Sequence, residues 1–134
     1  MATSMAIFSL LVTANPYSTQ GQFSAIQFAK TLLSEGHQLK RVFFYADGVL
    51  VASRLNCPPA DEYNLTKSWG KLAIEHDFEL VACVTAAMKR GITNAAEAER
   101  NALTGDNIHP AFQISGLGQL TEAMLESDRL ITFG

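Results

Sequence analysis

The sequence predicts an α/β fold: a doubly wound sheet of about five mostly parallel strands flanked by helices. Three observations carry that expectation. Short, almost continuous apolar runs recur along the chain, segments of helical period follow them, and turn-forming residues separate the two. At 134 residues the chain can bury well over half of its unfolded surface around one core. A single domain spanning residues 1–134 is therefore expected.

The first run, Ala6 to Val12, ends at Asn15-Pro16 and reads as a strand buried on both faces. Thr19 and Gln22 have the spacing of a capping box. Phe23, Ile26, Ala29 and Leu33 follow at helical spacing, and Gly36 stands where a helix takes its left-handed terminating residue. Leu39 to Tyr45, with Val42-Phe43-Phe44-Tyr45 at its centre, is the second strand and stops at Asp47-Gly48. Strand, helix, strand in this order calls for a right-handed parallel crossover.

A loop containing Cys57-Pro58-Pro59 leads to a helix from about Glu62, with Leu65, Trp69, Leu72 and Ala73 on one face. Phe78 to Val84 is the third strand, and Thr85 to Arg90 a short helix closed by Gly91. Asn94 and Glu97 cap another helix through Leu103, after which Thr104 to Pro110 reads as an exposed loop. Phe112 to Ser115 is a brief strand. Leu117, Leu120, Met124 and Ser127 form the stripe of the last helix, and Arg129 to Phe133 closes the sheet.

Composition excludes several functions. A net charge of -3 with scattered basic residues lacks the clustered Lys and Arg of a nucleic-acid surface, so no direct nucleic-acid binding is expected. The apolar run at the N-terminus is too short to span a bilayer, and no Lys or Arg precedes Lys30, so a cytoplasmic protein without a secretory leader is expected. With 17% charged residues the surface is sparsely charged, which points to a face covered by another chain.

Cys57 and Cys83 are the two cysteines, too few for a disulfide framework or a structural zinc site. Cys83 falls at the exit of the third strand, where α/β sheets gather reactive groups. The amides of the following helix would favour its thiolate there. Against this stands the frequent use of cysteine as a small core residue. Cys57 lies in a proline-rich loop away from any helix start and reads as incidental. His37, His76 and His109 are dispersed, so no metal site is expected. Ser115-Gly116-Leu117-Gly118 lacks the third glycine of a phosphate loop and reads as the opening of a helix. Lys89 and Arg90 read as solvated charges at a helix end.

The stretches Asn15 to Val49, Leu80 to Ile92 and Phe112 to Gly134 resemble the DsrE/DsrF-like sulfur-relay family, with the cysteine, the Arg-Gly pair and Gly-Leu-Gly in the family's order. The resemblance covers nearly the whole chain. It implies a sulfurtransferase whose catalytic residue is Cys83, without metal or organic cofactor. It further implies TusB-like and TusC-like subunits in a heterohexamer. Persulfide sulfur would arrive from a TusA-like donor and leave toward a TusE-like acceptor for 2-thiolation of the tRNA wobble uridine. A DsrE-type subunit of a sulfur-oxidation complex and a non-catalytic assembly subunit are the alternatives.

Overall fold

A computed structural model describes residues 4–134, so the first three positions of the expected 1–134 span lie outside the described residues. Five strands form one parallel sheet: β1 (Ile7–Val12), β2 (Gln38–Phe44), β3 (Glu79–Cys83), β4 (Phe112–Ser115) and β5 (Arg129–Phe133), in the order β4-β3-β2-β1-β5. The helices are α1 (Gly21–Ser34), α2 (Leu65–His76), α3 (Val84–Lys89), α4 (Ala95–Arg100) and α5 (Gly118–Glu126). The expected α/β sheet is thus present, with every pairing parallel.

Strand parity divides the helices between the two faces. Phe44 meets Trp69 of α2 edge to face, whereas Arg41, an odd number of residues away, reaches Glu122 of α5. Side chains three apart on a strand point to opposite faces. Hence α2 covers one face and α5 the other; α1 packs on the α2 side, with Phe28 against Phe8 and Phe133.

The core joins Leu10, Val12, Val42, Phe44, Leu80 and Ala82 of the strands to Ile26 of α1 and Trp69 of α2. Within it lies one polar cluster. Gln22, fully buried, donates to the carbonyls of Ala14 (2.9 Å) and Gly48 (3.1 Å) and accepts from Trp69 Nε1 (3.1 Å). Every polar atom of its amide is thereby satisfied, which is the condition for burying one.

That cluster corrects the expected capping box. Gln22 is drawn inward by two carbonyls and an indole, while Thr19 Oγ1 accepts from Gly21 N and α1 has no side-chain cap. The stop at Asp47-Gly48 is instead a 3-10 helix over Ala46–Ala52. It approaches β1 so closely that a Cβ on Gly48 would overlap the Val12 carbonyl. The second helix begins at Leu65 rather than Glu62, because Asn64 accepts from Lys67 N (3.0 Å) and caps it there. Asn94 caps α4 as expected, but α4 ends at Arg100, short of Leu103. Within Thr104 to Pro110, expected to be exposed, residues Asn107 to His109 are half-buried, since Ile108 pairs with Ser53 and His109 N donates to Ala52 O. On α5 the stripe is also displaced: Ala123 is its buried residue, while Leu117 and Met124 are exposed.

Candidate functional site

Strand β3 delivers Cys83 to the carboxyl edge of the sheet, one strand in from the β4 edge. Its backbone is still extended, with φ -61° and ψ 126°, and Val84 already belongs to α3, so Cys83 occupies the capping position. The strand therefore ends one residue earlier than the expected Val84. Amides in the first turn of a helix lack intrahelical partners, yet the Cys83 side chain accepts no hydrogen bond from those of α3. No side chain caps α3.

The thiol is not open to solvent. Cys83 is 2% exposed in the isolated chain, so the burial common to core cysteines holds here even at the strand exit. Parity tells which face it takes. Glu79, four residues earlier and in register with Arg41, bonds the Arg41 guanidinium on the α5 side; Cys83 therefore points to that same side. Across the edge it pairs with Ser115, immediately before the Gly116-Leu117-Gly118 turn into α5.

A charge cluster lies on the same face. Arg41, 3% exposed, donates to Glu79, to Glu122 (3.2 Å) and to the Gln119 carbonyl (2.8 Å). Burial works against its charge, but the two carboxylates more than offset this and hold its pKa above the ordinary value. A buried arginine needs such partners. A lone Lys-Arg inside an otherwise apolar strand was the signal in the sequence that such a cluster would exist.

Arg90 is not merely solvated, contrary to expectation: its Nε donates to Asp47 (2.9 Å) and its Nη1 to Ala86 O (3.0 Å). That pair ties the helix after Cys83 to the 3-10 helix after β2. Lys89 is exposed, as expected.

Cys57 is exposed and lines a separate groove of about 570 Å³ with Tyr17, Phe23, Leu55 and Tyr63. Cys83 is not among the residues lining that groove, so the structure does not bring the two thiols together there. His37 accepts from Ala6 N and His109 from Ala111 N, which assigns both imidazoles to local backbone bonds. Among the described residues no three His, Cys, Asp or Glu side chains are grouped as metal ligands. No helix there is long and apolar enough to cross a membrane.

Comparison with known proteins gives a consistent picture. The model of the DsrE/DsrF-like family matches residues 6–133. DsrE of Allochromatium vinosum is 48% identical over 127 residues, covering 95% of this chain and 98% of its own length. Sulfurtransferase TusD of Serratia proteamaculans is 48% identical over 129 residues, covering 96% and 100%. The ychN protein of E. coli shares the fold, with a TM-score of 0.78 at 21% identity, 96% of this chain and 100% of that one being covered.

Proposed function

We propose, from the premise that this chain belongs to the DsrE/DsrF-like family, that it works as a sulfur-relay subunit in which Cys83 carries the sulfur. The chain is a sulfurtransferase, as its TusD-named relatives are. The observation that carries the role of Cys83 is its place as the last residue of β3 and the cap of α3, a free thiol at the sheet's carboxyl edge.

The chemistry needs no oxidant. The Cys83 thiolate attacks the outer sulfur of a donor persulfide; the new S–S bond forms as the donor's own S–S bond breaks, and the donor leaves as a thiolate. Cys83 is then a persulfide. An acceptor thiolate attacks its outer sulfur in turn, and Cys83 leaves as the thiolate that began the cycle.

In this reading the donor is a TusA-like protein and the acceptor a TusE-like one, feeding 2-thiolation of the tRNA wobble uridine. TusB-like and TusC-like subunits complete a heterohexamer in the cytoplasm. The equal identity to DsrE and to TusD supports a sulfur-oxidation complex as the second reading, with the same chemistry at Cys83. The burial of Cys83 supports a third, a non-catalytic assembly subunit.

The test loads the donor protein with sulfur from a cysteine desulfurase, adds the purified complex, and examines the Cys83 peptide by mass spectrometry. One added sulfur atom is expected. A peptide without it, beside a fully loaded donor, removes Cys83 from the relay and leaves the assembly role.

A further inference from the structure

We propose that the turn from β4 into α5 is a movable cover over the Cys83 thiol, and that Arg41 is the positioning residue that latches it. The proposal rests on the reading of Cys83 as sulfur carrier. A persulfide on another protein cannot touch a sulfur belonging to a residue that is 2% exposed, so exchange requires something to move. Residues 116–119 are the segment placed to do so. Ser115 is the partner of Cys83 across the edge, and four residues on the Gln119 carbonyl is bonded by Arg41, on the face toward which Cys83 points.

This segment is lightly held. Of the nine residues of α5 only Ala123 is buried, whereas α1 buries five and α2 six. No side chain caps its start, Leu117 is 51% exposed, and a Cβ at Gly116 or at Gly118 would meet nothing within 4 Å. Segments with little buried apolar surface open at low free energy, without unfolding the rest.

What holds it, besides the half-buried Leu120 packed against the core, is the Arg41 cluster. Nη1 grips the Gln119 carbonyl in the first turn of α5, and Nη2 bridges Glu122 of α5 to Glu79 of β3. At the far end the Lys40–Glu126 pair (2.7 Å) fastens the last turn separately, so the first turn can lift about it. The closed latch is also imperfect. Arg41 Nε is buried without a hydrogen-bond partner among the described residues, a deficit that water would relieve on opening. A latch of this kind holds the thiol shut in the free subunit and yields when a partner engages the half-exposed Leu117.

The experiment alkylates Cys83 with N-ethylmaleimide in a Cys57→Ser background and follows backbone amide exchange in parallel, with no sulfur donor present. Arg41→Met should raise the alkylation rate by about tenfold or more, the response to losing both charge-assisted hydrogen bonds that Arg41 makes to α5, with faster exchange confined to residues 116–122. Arg41→Lys should recover part of the protection. If Arg41→Met loosens β1 to β3 as well, Glu122→Ala decides, because that side chain is half-exposed and its loss removes an acceptor of the latch while sparing the core: a rate within twofold of the parent overturns the latch. Equal rates for all variants likewise overturn it. Sulfur loading of Cys83 in the unaltered protein is scored separately, so failure of the cover and failure of the carrier remain distinguishable.

Discussion

Replacing Cys83 tests the chemistry most directly, and its burial sets the size of the structural side effect. Cys83→Ala deletes one buried heavy atom, comparable to removing a core methyl, at about 0.5–1.5 kcal/mol. Cys83→Ser keeps the volume but places a hydroxyl in the same sealed position, at about 1–3 kcal/mol if it finds no partner. Each kcal/mol lowers the Tm of a chain this long by roughly 3–5 °C. Small domains are stable by about 5–15 kcal/mol, so even the serine variant of a marginal one keeps roughly 2 kcal/mol and stays folded in more than nine molecules of ten. Circular dichroism should therefore report folded protein for both variants, with alanine the more stable. Sulfur transfer from a loaded donor to an acceptor should be abolished in both. If Cys83→Ala transfers sulfur at more than a small fraction of the parent rate while folded, the nucleophile lies elsewhere. A Tm loss far beyond that range for alanine would make the residue a keystone of packing instead.

Gln22→Leu should lose about 2–5 kcal/mol in denaturant unfolding, because it strands Trp69 Nε1 and the carbonyls of Ala14 and Gly48 in the interior; a loss below 1 kcal/mol would mean that water replaces the amide. Burial and the nearby Lys67 charge hold His109 below its ordinary pKa, so the unfolded chain binds its proton first. Stability contributed by the neutral ring is complete above the unfolded value of about 6.5 and falls as pH drops below it. Protonation at Nδ1 would also break the bond from Ala111 N, so the drop in Tm between pH 7.5 and pH 5.5 should shrink in His109→Asn. Cys57→Ser should leave sulfur transfer unchanged, since that exposed thiol lines a groove from which Cys83 is absent; a large loss of rate would make Cys57 a participant.

The features legible in the sequence were those set by local pattern. Apolar runs bounded by turn residues located the strands, and Asn94 with Glu97 announced its cap because capping is a contact between near neighbours. Gly36 and Gly91 adopt positive φ of 87° and 75° at helix ends, where only glycine is unstrained. Contacts between distant residues were hidden. Nothing near Gln22 reveals that Trp69, 47 positions away, will claim its side chain, and so Thr19-x-x-Gln22 read as a capping box. The same blindness concealed the Asp47–Arg90 pair and left the burial of Cys83 undecided, since both depend on which face each strand presents and what returns to cover it.

That dependence accounts for the site itself. From β1 to β4 the chain steps steadily toward one edge, so right-handed crossovers set α1 and α2 on one face. The return from β4 to β5 runs back across the sheet, and the same handedness sends α5 to the other. Of the three longest helices α5 alone stands there, seated by one buried residue. Parity then does the rest. Ala82 is in register with Phe44 and points with it toward α2, into the densest part of the core, whereas Cys83 points to the side that α5 covers. A thiol moved back by one residue would be sealed beneath a well-packed helix. At position 83 it points to the face that carries α5, the one long helix whose displacement costs little buried surface. The shelter of Cys83 is thus a consequence of where the topology reverses.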